Sequence, residues 1–479
     1  MHDSMISDNS LSLGSIIAQR VREKRLEPPG RWSVQMTFDG APVEVRNISD
    51  TGMAFMSERP FDKNSEGTLL IQLSDNRKIE MRGKIVWNRA EGEATIYGMH
   101  FNNHYLPEGL LEALDQVTAV KEVITQSASA FNSLDSDFKK LTFEIGNYLK
   151  STKRELDKLE DTITVYSEGI RNSYREVVST NIEPMFVSQL KDYSKQIDSI
   201  FSKIKDPKSR KLHAEFFRSE LGDYYTKNPF IGRALRKPRG YAGDYEMMNQ
   251  IYRERSEGRT FFEMMMHRYG ITESSSLSVQ YRRNYFVNKM YSLSEGKSRF
   301  KIASLACGPA KEVIDFLQNV PVEQASRYEF FLLDQDIEAL LNAKRNIFDQ
   351  ILKRNLQCTV HFLPISVKMI LEQSPEARKL ADIGFDFIYT AGLFDYLTQP
   401  VAKQLTRNAL RWIKPDGEMI IGNFHPFNPT KSISELVADW KLIHRNEEEM
   451  KDLIDGELVR SSQLHKDSEG IDLFLEIKK

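Results

Sequence analysis

The chain has 479 residues, with 66 Lys+Arg against 68 Asp+Glu, a formal net charge of -2, 40% hydrophobic and 28% charged residues, and two cysteines, Cys307 and Cys358. One hydrophobic core rarely outgrows about 250–300 residues, so two or three domains are expected. The charge balance speaks against a dominant surface for a nucleic-acid polymer, the composition against a mostly disordered chain, and the cysteine content against a disulfide scaffold or multi-cysteine metal cage.

No apolar run approaches the roughly 20 residues that cross a bilayer. Residues 1–15 lack the basic-then-apolar order of a signal peptide. These features lead us to expect a cytoplasmic protein without stable membrane insertion and without a metal site. Residues 1–18 read as a flexible N-terminus.

From about Arg31 to Phe101 the pattern is short apolar alternation broken by turns. Val43-Glu44-Val45, Leu69-Leu70-Ile71, Ile79-Glu80-Met81 and Lys84-Ile85-Val86-Trp87 read as strands. Asp39-Gly40, Ser74-Asp75-Asn76 and Glu91-Gly92-Glu93 read as turns. Strands at this spacing suggest a small antiparallel barrel, assigned to residues 19–106.

The period then becomes helical. Leu156, Leu159, Ile163, Tyr166, Ile170, Tyr174 and Val177 recur every three or four residues, with charges on the other faces. This spacing predicts one amphipathic helix of coiled-coil character within residues 107–205. A packing or homodimerisation element is the preferred reading. Pro184 and Pro207 mark helix ends. Residues 206–299 read as a helical cap.

From residue 300 onward, strands and helices alternate. Strands are expected at 301–305, 330–333, 385–389, 417–421 and 472–478, and helices at 311–317, 338–353 and 400–412. Such units imply an open, mostly parallel sheet covered on both faces, a Rossmann-like α/β domain over residues 300–479. The fold class is therefore multidomain: an antiparallel barrel, a helical middle region and a C-terminal α/β domain.

Ser304-Leu305-Ala306-Cys307-Gly308-Pro309-Ala310 lies between a strand and a helix. Small residues there let a ligand approach the backbone, and the helix N-terminus offers free N–H groups. Leu333-Asp334-Gln335-Asp336 ends the next strand, where a carboxylate can accept both hydroxyls of a ribose. Asp334 and Asp336 are both candidates and Asp334 is favoured; the alternative for each is a helix cap. No phosphate-binding lysine follows the loop and the three-glycine spacing of a dinucleotide fingerprint is missing. A nucleoside without a pyrophosphate, such as S-adenosylmethionine, fits better.

Residues 303–310, 333–336 and 385–397 together resemble a class I S-adenosylmethionine-dependent methyltransferase. Ser304 stands where that family usually has an acidic residue, and Ala306 and Ala310 stand for two of its glycines, with Gly308 retained. The resemblance implies cofactor contacts at Ala306, Gly308, Ala310, Asp334, Asp336, Gly392 and Asp395. Lys237-Pro238-Arg239-Gly240-Tyr241-Ala242-Gly243-Asp244-Tyr245-Glu246-Met247-Met248 and Tyr389-Thr390-Ala391-Gly392-Leu393-Phe394-Asp395-Tyr396-Leu397 are similar to bacterial methyltransferases assigned to making a 3-hydroxypalmitic acid methyl ester signal.

Methyl transfer mainly needs donor and acceptor aligned and water excluded. A carboxylate acceptor needs no strong base, only cations to hold it. Arg233, Arg236, Lys237 and Arg239 cluster before the glycine-bounded turn, so Arg236 and Arg239, with Tyr396, are candidate substrate contacts; the alternative is a solvated basic helix end. Tyr241 and Asp244 are candidate catalytic residues, with helix capping the alternative for Asp244. His425 is a candidate base for a hydroxyl or amine acceptor, against a structural histidine. Tyr281, Arg282 and Arg283 are placed near the methionine carboxylate.

Asn47-Ile48-Ser49-Asp50-Thr51-Gly52 and Tyr97-Gly98-Met99-His100-Phe101 resemble the turn motif and closing strand of PilZ domains, which bind cyclic di-GMP. The resemblance implies contacts from Asn47, Ser49 and Gly52, with Gly52 letting the turn approach a base, and from Arg20, Arg22 and Arg25 before the barrel. The preceding segment, Gln19-Arg20-Val21-Arg22-Glu23-Lys24-Arg25, lacks an arginine pair at the family spacing.

The combined expectation is a cyclic di-GMP-responsive methyltransferase acting on a carboxylate of a fatty-acid-like small molecule. Its alternatives are a non-catalytic PilZ effector working through protein contacts and a protein carboxyl methyltransferase.

Overall fold

The computed structural model describes residues 35–49, 51–72, 78–92, 94–102, 120, 121, 123–125 and 128–479. The chain divides between Ser133 and Leu134 into two compact units.

In the first unit, alternating residues build β1 (Gln35–Phe38), β2 (Ala41–Pro42), β3 (Glu44–Ser49), β4 (Gly52–Ser57), β5 (Glu66–Gln72), β6 (Lys78–Glu91) and β7 (Ala94–Phe101). Their order is β2-β1-β5-β6-β7-β4-β3, antiparallel throughout. In a flat sheet β1 and β4, four positions apart, would be separated by about 19 Å. Yet the Phe38 and Phe55 rings lie 5.5 Å apart, so the sheet curls around its core. Met36, Ile48, Met53, Leu69, Ile71, Met81, Ile85, Tyr97, Met99 and Phe101 complete that core.

The curl agrees with the expected barrel, but among the described residues no strand pair joins β2 to β3 to close it. The two strands expected at 79–81 and 84–87 are one 14-residue strand, β6, with a bulge between Ile85 and Trp87. The bulge lets the strand bend without a turn. The turn expected at residues 74–76 lies outside the described residues.

The second unit begins with α1 (Ser136–Ile163), α2 (Glu168–Asn181), α3 (Glu183–Phe201), α4 (Pro207–Thr226), α5 (Pro229–Arg236), α6 (Tyr245–Arg253), α7 (Phe261–Thr272) and α8 (Ser274–Ser294). The continuous helix expected from Leu156 to Val177 is broken between α1 and α2. Thr162, Ile163, Thr164 and Val165 are β-branched and weaken the helix there, and the Thr164 hydroxyl turns back to the Asp161 carbonyl (2.7 Å). Leu156 and Ile163 are buried, whereas Ile170 (46%) and Val177 (57%) are exposed, so the heptad-like stripe is not one seam. Pro184 and Pro207 stand in the first turns of α3 and α4, where their missing N–H leaves no gap.

The sheet and its covering helices follow: β8 (Phe300–Leu305), α9 (Lys311–Asn319), β9 (Tyr328–Leu333), α10 (Ile337–Arg354), β10 (Thr359–Leu363), α11 (Val367–Leu371), α12 (Pro375–Lys379), β11 (Phe385–Thr390), α13 (Gln399–Leu410), β12 (Ile413–Phe424), α14 (Lys431–Ala438), α15 (Glu447–Asp452), β13 (Ser461–Lys466) and β14 (Asp472–Lys478). The order is β10-β9-β8-β11-β12-β14-β13. The first five strands are parallel and β14 and β13 antiparallel.

Alternate residues serve opposite faces. Phe330 and Leu332 pack with α8, α9 and α10, and Phe331 and Leu333 pack with α13 and α15. Helices α1 to α7 share a further core with Phe424, Ile433, Leu436 and Ile471. Residues on both sides of positions 205 and 299 thus belong to one packed unit. The chain order reverses at β8, which opens a crevice beyond the C-terminal ends of β9, β8 and β11.

Candidate functional site

The crevice holds a cavity of about 450 Å³. Its floor is the loop after β8, where Ala306, Gly308 and Ala310 all take left-handed backbone angles (φ 52°, 54° and 49°). The Cys307 N–H donates to the Leu333 carbonyl (2.9 Å) and ties the loop to β9. A Cβ at Gly308 would meet nothing within 4 Å, so backbone conformation and not crowding favours glycine there. The two alanines hold the same region at a cost of about 1 kcal/mol each.

Asp334 is 6% exposed and lines the cavity. Its oxygens accept from the N–H groups of Gly308 and Asp336 (2.8 Å each). The Gln335 N–H also acts on this carboxylate, so of its about four acceptor sites one is left for a ligand hydroxyl. Burial pushes the Asp334 carboxyl above its ordinary range.

Asp336, the second candidate, is taken. It caps α10 through the Glu338 N–H (3.0 Å) and is clamped by Arg239, whose Nε and Nη2 both donate to it (Nη2–Oδ1 2.5 Å). Burial pushes its carboxyl up, but the Arg239 bonds outweigh this and hold it below the usual range. Arg239 therefore holds Asp336 and is not free for a substrate. Arg236 is exposed in the last turn of α5 and does not line the cavity.

Residues 237–244 form a strap along one side of the cavity. Lys237 Nζ reaches Asp439 (3.1 Å), and the Tyr396 hydroxyl donates to the Ala242 carbonyl (2.9 Å) while accepting from the Trp440 indole (3.0 Å). A Cβ on Gly243 (φ 75°) would lie 2.5 Å from the Trp440 ring. Tyr241 lines the cavity, its hydroxyl 3.5 Å from Asp336, and burial pushes that hydroxyl's pKa up.

Asp244, expected in catalysis, is 1% exposed and structural. It caps α6 through the N–H groups of Glu246 and Met247 (3.1 Å each) and takes the Arg233 Nε on both oxygens (2.8 Å each).

Beyond β11, Gly392 lets the buried Arg282 guanidinium lie flat on the backbone, since a Cβ there would be 3.0 Å from both Nη atoms. Asp472 stands 3.7 Å from Arg282, and burial pushes the Asp472 carboxyl well up, towards its neutral form. Asp395 accepts from the Phe424 N–H (2.8 Å); burial pushes its pKa to about 7.

His425 does not line the cavity. Its Nδ1 accepts from the Phe427 N–H (3.2 Å) and its Nε2 faces Glu447 (3.4 Å), so the candidate base is a structural histidine. The histidine that does line the cavity is His444. Its Nδ1 lies 3.1 Å from the Leu442 carbonyl and its Nε2 3.3 Å from Asn428 Nδ2. Burial lowers its pKa to about 4, which keeps it neutral.

Three residues escape sequence reasoning: His444, Arg445 and Glu273. Arg445, 1% exposed, ties Phe394, Gln399 and Asn423 together (2.7, 2.7 and 2.5 Å) and fixes the loop after β11. An arginine followed by Asn446 and three glutamates reads as surface.

In the first unit, Asn47 follows a bulge on β3 and pairs with Ala54. The Ser49 hydroxyl donates to the Gly52 carbonyl (3.1 Å). A Cβ on Gly52 would fall 2.4 Å from the Met99 oxygen, so the close approach of β7 by itself requires the glycine. Arg20, Arg22 and Arg25 lie outside the described residues.

Residues 19–117 match the PilZ domain family. No curated protein matches the sequence. Among solved structures, a possible exported protein from Bordetella parapertussis is 15% identical with a TM-score of 0.42, over 63% of this chain and 98% of that one. The N-methyltransferase NodS from Bradyrhizobium japonicum, in complex with S-adenosyl-L-homocysteine, is 11% identical with a TM-score of 0.29, over 43% and 89%. Magnesium protoporphyrin IX methyltransferase from Synechocystis is 10% identical with a TM-score of 0.34, over 55% and 99%.

Proposed function

We propose that the second unit is an S-adenosylmethionine-dependent methyltransferase acting on the carboxylate of a small apolar molecule, and that cyclic di-GMP on the PilZ domain regulates it. The observation that carries this reading is the left-handed loop at 306–310 facing the same cavity as Asp334.

The chain's residues suit the cofactor. Asp334 offers a free acceptor site to a ribose hydroxyl, the open side of Gly308 admits a ligand to the backbone, and Ile365 and Val367 supply an apolar wall for a flat ring. Bound there, S-adenosylmethionine would supply an electrophilic methyl group. The protein's part is to orient the acceptor and exclude water.

Arg282 takes the role expected of Arg236 and Arg239. It is a buried guanidinium at the cavity wall, a cation that can hold an incoming carboxylate. Such an acceptor is already a nucleophile, so no base is required of His425. The neutral His444 and the Tyr241 hydroxyl can order the acceptor by hydrogen bonds. A non-catalytic effector would have no need to keep Ala306 and Ala310 in a costly conformation, and the apolar walls at Phe230, Ile231, Ile433 and Val437 suit an apolar acceptor.

Calorimetric titration of the full chain with S-adenosylmethionine, with and without cyclic di-GMP, tests the reading. Micromolar binding that changes with the dinucleotide, and is lost in Asp334→Ala, supports both parts. No binding in either condition overturns the methyltransferase assignment.

A further inference from the structure

The strap at 237–244 joins two exposed apolar places. At Arg239 it is held to Asp336, the residue before Ile337 on α10. At Lys237 and Ala242 it is held to Asp439 and to the Tyr396–Trp440 pair. Ile337 (61%) and Leu341 (52%) are exposed one helical turn apart, Tyr396 is 43% exposed and Trp440 is half-buried. Tyr396 and Trp440 also line the cavity, so this face carries its opening.

Charge on the face is unequal. Six cations, Arg236, Lys237, Arg239, Lys344, Arg345 and Lys441, stand against three acids, Asp336, Glu338 and Asp439. Arg236 and Lys441 are exposed, as are Lys344 and Arg345, one turn beyond Leu341 on the same side of α10. Exposed aliphatic side chains among cations, beside Trp and Tyr rings with one polar end, match the headgroup layer of a bilayer. Each Lys or Arg near an anionic leaflet adds to the attraction. A phosphate polymer would use the cations and leave Ile337 and Leu341 in water. A second copy placed about a two-fold axis would set cations against cations.

We infer that the strap face docks reversibly on the surface of an anionic phospholipid bilayer. Ile337, Leu341 and the Trp440 ring lie at the headgroup boundary, the cations lie on lipid phosphates, and the contact is peripheral. The cavity then opens onto the layer in which apolar molecules concentrate. The inference stands on the surface alone and goes beyond the methyltransferase reading, so either can fail without the other.

Flotation of the full chain with vesicles of phosphatidylcholine, and with vesicles of an equal mixture of phosphatidylcholine and phosphatidylglycerol, tests it. The chain should partition about a hundredfold more strongly onto the mixed vesicles, from the excess of three cations. Arg236→Gln with Lys441→Gln should lower that partition about thirtyfold, and Ile337→Ser with Leu341→Ser about tenfold. All four positions are exposed, so both variants should fold; the comparison of vesicle compositions needs neither. No binding to the mixed vesicles, equal binding to both compositions, or binding that either pair of substitutions leaves unchanged overturns the inference. Self-association of the chain without vesicles that is lost in Ile337→Ser with Leu341→Ser also overturns it, because a second copy would then cover the face.

Discussion

The two ends of the cavity hold their buried acids differently. At the sheet end, Asp334, Asp336 and Asp395 each accept a backbone N–H, and Asp336 also takes an arginine; Asp472 beside them stands 3.7 Å from Arg282 and accepts no such bond. At the helical end, Glu273 lies against the Tyr269 hydroxyl, and burial pushes its carboxyl upward. Groups satisfied within the chain are built to hold one geometry whether or not a ligand is there. The loop acids at the sheet end are therefore a preformed frame for a ligand of constant shape.

The sharpest way to break this contrast is pH. Asp395 titrates near 7 in the folded chain, against about 3.9 for an unfolded aspartate. Between these values the folded state binds a proton that the unfolded state does not, so this group's stabilising contribution declines as pH rises from about 4 to 7. The expected loss is on the order of 3 kcal/mol. Asp395→Asn, which still accepts from Phe424, should flatten the profile in urea unfolding at pH 5 and 7.5. An unchanged profile would mean the sheet end is wetter than described.

Next comes the frame itself. Asp334→Ala should weaken S-adenosylmethionine binding about a hundredfold by calorimetry, because it removes a ligand acceptor and two loop anchors together. Asp244→Ala should lower stability by about 2 kcal/mol in denaturant, through loss of a helix cap and an arginine partner. At equal folded fraction it should leave cofactor affinity nearly intact, in contrast to Asp334→Ala. Ala306→Gly and Ala310→Gly should each raise stability by about 0.5 kcal/mol, the relief of left-handed strain exceeding the added chain entropy. The smallest effect is expected from His425→Gln, whose rate of methyl transfer should stay within about twofold of wild type because the ring does not reach the cavity.

The sequence announced most of the sheet because its central strands are buried on both faces and read as unbroken apolar runs, as in Phe330-Phe331-Leu332-Leu333. Strands β10 and β13 were not anticipated: Thr359–Leu363 is half-exposed and Ser461–Lys466 is polar, and neither carries such a run. The cofactor loop and Asp334 were legible from local spacing. The roles of the arginines were not, since the partner of Arg239 lies 97 residues away, at Asp336. His425 and His444 look alike in the sequence, and only the packing of the loops after β12 puts the second in the cavity. Glu273 gave no signal because the helix dipole favours an acid at any helix start, so a glutamate there reads as ordinary.

The strap at 237–244 adds a kinetic consequence. It turns on two glycines with positive φ, Gly240 and Gly243, and its latches, Arg239 to Asp336 and Lys237 to Asp439, are ion pairs whose cationic side chains are each 30% exposed. Salt weakens such half-wet pairs far more than it weakens the backbone bonds that shape the Asp334 frame. Raising the ionic strength should therefore shorten the residence time of a bound nucleoside by easing its exit, while the contacts that recognise it stay as they are.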